Sequence, residues 1–194
     1  MELLIAVTLI SMILVCIVAV DIASRKFFSM SDYESRVQNE VSPVLEMIAK
    51  QVSKGYGNNM GPGVYVPSNN RLEIRRFNNT TATYEDLTDD DWIAYAFNNS
   101  AKSIIAQGVG NCTAIDATPP YRCLSWRSGP GFEEVIAKNI SSCNFTVANN
   151  IALNNNLWIT INVTAMRDAT QPMNATNPSI NLNTTVALRS QSIR

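Results

Sequence analysis

Residues 3–20 form an uninterrupted run of eighteen residues without a formal charge, LLIAVTLISMILVCIVAV. As an α-helix this run would be ~27 Å long at ~1.5 Å per residue, close to the ~30 Å hydrocarbon core of a bilayer. Its apolar residues lie on every side of such a helix, so the helix must be buried in lipid or among other helices. Glu2 immediately precedes the run, whereas membrane anchors usually begin with Lys or Arg.

The helical pattern continues beyond this run. From Phe27 to Val52, apolar residues recur every three or four positions and leave one polar face, which is the spacing of an amphipathic helix. Gly55 is a typical stop signal, and Pro43 is expected to bend the helix because it removes one backbone hydrogen bond. We therefore predict one continuous helix over about residues 2–54.

A cleaved secretory signal, as on a secreted enzyme, is the main alternative for the apolar run. No basic segment precedes the run, and it is longer than the usual ~7–15 residues of a signal core. No small-x-small cleavage site precedes Asp21. Because the helical pattern also continues past this point, we interpret the run as the lower part of a stem rather than as a signal.

The rest of the chain is predicted to form a β-rich head. Alternation and composition predict strands at 72–77, 92–97, 103–109, 122–126 (with Leu124 and Trp126 inward), 143–147, 157–163 and 185–188. Asn98–Ser100 is predicted to connect two of them as a hairpin. Turn-forming residues predict loops at 58–70, 108–120 and 168–181, and 132–140 is predicted to be a short helix or irregular.

These elements define an α+β fold class, with a long N-terminal stem helix packed on an antiparallel β-sheet head. We divide the chain into three parts. Residues 1–25 form a hydrophobic membrane or filament-core helix, 26–54 form its amphipathic continuation, and 55–194 form the globular head.

Composition argues against several classes of function. Charged residues make up 16% of the chain and the net charge is −1, so there is no basic surface for nucleic acid. The chain contains no His, which removes the commonest general base and transition-metal ligand. We therefore expect neither enzymatic activity nor a cofactor. The acidic cluster lacks EF-hand spacing and is interpreted as a solvated turn; it comprises Glu85, Asp86, Asp89, Asp90 and Asp91.

The cysteines predict at most one disulfide within the head. Cys112, Cys123 and Cys143 lie there, and their spacing matches no zinc motif. Cys112 and Cys123 close the shortest loop and form the first candidate pair, with Cys143 as the alternative partner. Cys16, in the apolar run, is interpreted as a small buried hydrophobe.

Asparagine is abundant and produces many Asn-x-Ser/Thr motifs. We interpret them as signs of a polar, weakly charged surface facing an extracellular medium rather than as glycosylation sites. They begin at Asn79, Asn98, Asn111, Asn139, Asn144, Asn162, Asn174 and Asn183, among others.

The segment ELLIAVTLI at residues 2–10, followed by an uncharged helix, an amphipathic continuation and a β-rich region, resembles the type IV pilin and pseudopilin family. Within the family, the nearer likeness is to minor pseudopilins of type II secretion and minor pilins of type IV pili. The resemblance implies a structural subunit of a pilus-like filament. The residues expected to mediate assembly are Glu2, Leu3, Leu4, Ile5, Val7, Leu9 and Ile10. The alternatives are a minor tip pseudopilin of a type II secretion system and a non-polymerising, membrane-anchored binding domain.

The resemblance also implies partners and a role for Glu2. A lone carboxylate in a hydrophobic filament core costs several kcal/mol unless it is paired, and the free α-amine of a neighbouring subunit would pair with it. Otherwise Glu2 is an interfacial residue favoured by the helix dipole. The implied partners are copies of the chain or other pilins, a prepilin peptidase, and an inner-membrane assembly platform. The subunit would reside in the inner membrane and then in an extracellular filament or a periplasmic pseudopilus.

Two features depart from the family pattern. Family members carry a short basic leader, whereas Met1 directly precedes Glu2 here, so we expect that the start of the sequence is truncated or misassigned. Arg25 and Lys26 follow the apolar run and, by the positive-inside rule, favour a cytoplasmic head. A basic leader would reverse that orientation, and the resemblance favours a head outside the cytoplasm.

Overall fold

The computed structural model describes residues 2–56, 63–76, 91–108, 112–115, 123–127, 131–150, 156–174 and 177–187. Within them, the chain forms one α-helix followed by ten β-strands. The helix α1 spans Glu2–Val52. The strands are β1 (Val64–Ser68), β2 (Arg71–Arg76), β3 (Asp91–Asn98), β4 (Ser103–Gln107), β5 (Cys112–Ile115), β6 (Cys123–Trp126), β7 (Glu133–Ala137), β8 (Ile140–Asn150), β9 (Asn156–Met166) and β10 (Ser179–Ala187).

Helix α1 is continuous from the apolar run into the amphipathic segment, and Pro43 lies within it. The helix ends two residues before the predicted boundary, where the amide of Gly55 donates to the carbonyl of Val52 at 3.0 Å. A Cβ at Gly55 would lie 2.6 Å from Cγ2 of Val64. Glycine is therefore required for the close approach between the end of the helix and β1.

The strands form three antiparallel sheets. A five-stranded sheet has the order β1-β2-β3-β4-β7, a three-stranded sheet has the order β10-β9-β8, and β5 and β6 form a separate ribbon. Strand β8 contacts β1, β2, β3 and β4, and α1 contacts β10, β9 and β7. The helix therefore lies against antiparallel sheets, which confirms the predicted α+β fold class.

The core is formed by one face of the upper helix and the inner faces of the two larger sheets. On α1, the buried residues recur at helical spacing, and Ile48 and Val52 have no exposed surface. On β9, Ile159, Ile161 and Val163 are also fully buried, and their spacing of two places them on one face of the strand. Burial of each such side chain contributes about 1.5–3 kcal/mol, so this cluster fixes the head on the stem.

Turn chemistry explains the connection between β3 and β4. The side-chain carbonyl of Asn98 accepts hydrogen bonds from the amides of Ser100 and Ala101, at 3.1 and 3.0 Å. Lys102 then adopts a positive φ of 49° before β4 begins. This arrangement confirms the predicted hairpin and shows an asparagine bonding the backbone of its own turn.

Several head segments differ from the sequence prediction. Residues 64–68 were predicted as loop but form the edge strand β1, since Val64 pairs with Ile74 of β2. Residues 133–137 form strand β7 on the edge of β4 rather than a helix. Residues 112–115, predicted as loop, pair with β6. In each case pairing with another strand overrides a local composition typical of turns.

The inward orientation predicted for strand 122–126 is wrong for Leu124, whose side chain is 54% exposed. Strands β5 and β6 pair only with each other among the described strands. A two-stranded ribbon has no core face of its own, so alternation along it does not predict burial. The side chain of Trp126 lies outside the described part of the chain.

Candidate functional site: the exposed half of the stem helix

The lower half of α1 exposes a large apolar surface. Along residues 3–20, hereafter the apolar window, the large hydrophobic side chains are between 56% and 79% exposed. No part of the most hydrophobic eighteen-residue stretch of α1 is buried against the rest of the described chain. By length and composition α1 is able to cross a membrane. The C-terminal part of α1 is therefore packed into the head, whereas its N-terminal part requires apolar surroundings from outside the chain.

The polar side chains of the apolar window are satisfied by the helix itself. The hydroxyl of Thr8 donates to the carbonyl of Ile5 at 2.8 Å, and the hydroxyl of Ser11 donates to the carbonyl of Thr8 at 2.8 Å. Such bonds to the preceding turn remove most of the cost of taking a hydroxyl out of water. Cys16 is an exposed free thiol and behaves as a small apolar group. The apolar window is thus suited to dry surroundings on every side.

Charged pairs begin directly above the apolar window. Arg25 lies 2.9 Å from Asp21, and Arg36 lies 3.1 Å from Asp32. Both pairs are four residues apart on the helix surface and solvent-exposed. They therefore support the helix by only a few tenths of a kcal/mol each, about 0.3–0.5. This part of the stem therefore presents charged side chains to water.

Two aromatic side chains interrupt the charged segment. Phe27 and Phe28 are 69% and 70% exposed, and their rings meet edge to face with centroids 6.2 Å apart. Phe27 lies about 10 Å along the helix axis beyond Val20. Exposed apolar surface on the stem therefore extends beyond the apolar window.

Packing of the stem on the head begins at a later residue of α1 than the sequence pattern predicts. Phe27 and Met30 follow the amphipathic spacing but are 69% and 42% exposed. Tyr33 is the first residue packed against the core, and Val37 is the first buried one. The lower end of the head, as described, thus lies near Tyr33, which leaves residues 21–32 as an exposed spacer.

A cavity of about 330 Å³ opens where the stem enters the head, between α1 and the ends of β7 and β9. Its lining mixes Arg36, Lys138 and Arg167 with Glu40. The hydroxyl of Tyr33 is buried there without a hydrogen-bond partner among the described residues. Burial, and secondarily the charge of Glu40, raise the pKa of Tyr33, while Arg167 opposes the shift. This mixture of charges selects no single class of ligand.

The predicted assembly residues all lie on the exposed lower helix. Glu2 is in the first turn of α1, where the helix dipole favours a carboxylate. The hydrophobic members of the set lie on several sides of the helix and are exposed; they are Leu3, Leu4, Ile5, Val7, Leu9 and Ile10. A partner for Glu2 would come from another subunit, so its role in assembly stays a prediction.

The cysteines separate into two groups. Cys123 takes part in a disulfide, whereas Cys143 is a buried free thiol whose pKa is raised by burial to about 12. The alternative pairing through Cys143 is therefore wrong. The pairing of Cys123 with Cys112 stays a prediction, because the side chain of Cys112 lies outside the described part of the chain.

Residues 85–90 of the acidic cluster also lie outside the described part, and Asp91 is the first residue of β3. Among the described residues, no group of three or more Cys, Asp or Glu side chains is arranged to hold a metal ion.

A polar network that sequence reasoning missed crosses the five-stranded sheet. Arg71 donates to Glu73 and to Gln107, both at 2.7 Å, and the side-chain amide of Gln107 donates to Glu133 at 2.9 Å. Glu73 and Gln107 are 3% and 4% exposed. The network links β2, β4 and β7 and therefore favours one register of the sheet over its slipped alternatives. The polar residues in strand β2 alone gave no sign of it, since Gln107 and Glu133 are distant from them in sequence.

The arrangement of one long apolar N-terminal helix packed on an antiparallel sheet is consistent with a pilin-like architecture. No protein-family model, curated protein or solved structure matches the chain. The architecture therefore rests on the helix and the sheets themselves.

Proposed function

We propose that the chain is a structural subunit of a type IV pilus-like filament and assembles through the apolar window. The observation that carries this proposal is the division of one continuous helix. Ile48 and Val52 are fully buried in the head, whereas the large side chains of the window are more than half exposed. Full burial of a Val, Leu or Ile side chain contributes about 1.5–3 kcal/mol. The window is thus driven strongly into a bilayer or into a bundle of identical helices.

The spacer favours a helical bundle as the final environment. The hydrocarbon core of a bilayer accommodates about 20 helical residues, and the exposed Phe27 and Phe28 lie beyond that length. In a bundle of stems, neighbouring helices cover both rings. Glu2 also agrees with a bundle. The α-amine of a neighbouring subunit would neutralise its carboxylate, whereas lipid tails offer it no charged partner.

The proposed subunit carries out no chemistry. It resides first in the inner membrane, where a prepilin peptidase processes it, and an assembly platform with its ATPase extracts it into an extracellular filament or a periplasmic pseudopilus. The same surfaces serve a minor tip pseudopilin of a type II secretion system. That alternative differs in stoichiometry, because a tip subunit occurs once per filament.

Replacement of Glu2 tests the proposal. In the full chain expressed with its assembly system, Glu2→Ala should leave membrane insertion unchanged and abolish filaments seen by electron microscopy. Glu34→Ala is the matched control, because Glu34 is an exposed carboxylate on the same helix outside the apolar window. Normal filaments from Glu2→Ala would refute the proposed pairing.

The aromatic pair provides a second test. The double change Phe27→Ser and Phe28→Ser should leave insertion unchanged and weaken filament assembly, because in the proposed bundle neighbouring stems cover these rings. If the chain is instead a non-polymerising, membrane-anchored binding domain, neither this change nor Glu2→Ala alters its oligomeric state in the membrane, as measured by cross-linking.

A further inference from the structure

The three-stranded sheet presents an ordered polar surface on the side opposite the core. Across β8, β9 and β10, Asn144 pairs with Asn162, and Asn162 pairs with Asn183. The neighbouring row contains only threonine, namely Thr146, Thr160 and Thr185. On the other side of the asparagine row lie Ser142, Thr164 and Asn181. We call these three rows the polar grid.

The polar grid is regular in both directions. Neighbouring strands are ~4.8 Å apart, and residues two apart on a strand are separated by ~6.8 Å. The grid members on β10 are exposed, and those on β9 are half-buried. The grid therefore repeats hydrogen-bonding groups over three strands.

The side-chain amides of the asparagine row are available for a ligand. None of the three makes a hydrogen bond within the described part of the chain, and each amide offers two donors and an acceptor. In the threonine row, the hydroxyls of Thr160 and Thr185 lie 3.2 Å apart. The hydroxyl of Thr146 contacts the carbonyl of Thr160 at 3.4 Å. These contacts hold the hydroxyls in place and leave acceptor capacity on each oxygen.

The charge of the polar grid restricts its partner. Its nine residues are all uncharged at neutral pH. A phosphate, a nucleic acid or an acidic polymer requires Lys or Arg for tight binding, and the grid has neither. An uncharged surface of hydrogen-bonding groups is suited to a neutral ligand that is rich in hydroxyl and amide groups.

An exposed aromatic side chain extends the polar grid at one end. Trp158 lies beside the threonine row, pairs with Ala187 on β10, and is 36% exposed. Ala187 adds only a methyl group next to Trp158. From Trp158 to Thr164 the surface extends ~20 Å along β9, which is long enough for several sugar residues.

We propose that the polar grid and Trp158 form a binding surface for a neutral polysaccharide. Asparagine and threonine side chains bond the sugar hydroxyls, and the indole packs against the apolar face of one sugar ring. The binding does not depend on whether the chain polymerises. The Asn-x-Thr motifs at Asn144, Asn162 and Asn183 follow from the period of two that places Asn and Thr on the same face of a strand.

The test uses the full chain in an amine-oxide detergent, because maltoside detergents carry sugars that would compete. The protein is applied to immobilised cellulose, chitin and mannan, with the acidic polymer alginate as the charge control. The expected result is retention on at least one neutral polymer that persists at high salt. Asn183→Ala, Thr160→Val and Trp158→Ala should each weaken binding by about threefold to tenfold.

Thr113→Val is the matched control, because Thr113 is an exposed threonine on β5 whose hydroxyl also donates to a backbone carbonyl, that of Ser125 at 3.1 Å. It should bind like the unmodified chain. Four results would each overturn the proposal. They are no retention on any neutral polymer, retention on alginate alone, equal retention of the grid variants and the control, and a peptide mass map of the native protein showing glycans attached to the asparagine row.

Discussion

Replacing Ile10 with lysine tests whether the apolar window occupies the hydrocarbon core of a membrane. Twelve of the eighteen residues of the window are Leu, Ile or Val. At about −0.3 to −0.6 kcal/mol each, they contribute about −5 kcal/mol to insertion, and a central lysine costs about 2.5–3.5 kcal/mol. With the lost isoleucine, Ile10→Lys should weaken the insertion equilibrium a few hundredfold, by about 3–4 kcal/mol, and still leave most of the protein inserted.

A second lysine at Val15 should remove the remaining driving force. Ile10 and Val15 lie about 140° apart around the helix, so the two charges do not share one hydrated defect. The double variant should therefore be extracted from membranes by alkaline carbonate, whereas Ile10→Lys alone is mostly retained. Phe28→Lys is the control, because Phe28 is 70% exposed and lies outside the window. If the double variant resists extraction as Phe28→Lys does, the window is not in the hydrocarbon core.

Three further predictions concern the head. Ile48→Ala, which empties a fully buried site, should lower the free energy of unfolding in urea by about 2–5 kcal/mol. Met47→Ala, at a site 38% exposed, should lower it by less than about 1 kcal/mol. Burial raises the pKa of Tyr95 from 10.0 to about 12 against the opposing charge of Arg76. The neutral phenol is therefore favoured in the folded state. Its contribution to the free energy of unfolding is fully present below pH 10 and is lost as the pH rises towards 12. Tyr95→Phe should reduce that alkaline loss in the free energy of unfolding by about 2–3 kcal/mol, as measured by urea denaturation at several pH values. An unchanged dependence of stability on pH would contradict the role of Tyr95. The buried thiol of Cys143 should resist iodoacetamide at neutral pH in the folded protein and react after denaturation, as peptide mass mapping would report.

The stem helix was predictable because its signals are local. Periodicity from Phe27 to Val52 and a glycine at position 55 are sufficient to define one helix and its end. The start of packing on the head was not predictable in this way. Met30 and Tyr33 have the same apolar spacing, and only the position of β9 and β10 against α1 decides which of them is covered.

The errors in the head share one physical cause. Val64 and Val135 lie in short segments flanked by glycine, proline or charged residues, which are typical of loops. The two segments form strands β1 and β7 because they pair with the edges of the five-stranded sheet, at β2 and β4. Such backbone pairing depends on residues outside the segment itself, in the next strand for β1 and in a more distant strand for β7, so single-segment composition does not predict it.

The polar grid and the stem lie on opposite sides of the same sheet. Helix α1 contacts β9 and β10, and Ile180, Leu182 and Val186 of β10 pack on the core side. Side chains alternate between the two faces of a strand, so Asn181, Asn183 and Thr185 point away from the stem. If stems bundle at the centre of a filament, the grid of every subunit faces outward. The two proposals therefore require different surfaces of the chain, and a filament would display the sugar-binding surface once for every subunit that it contains.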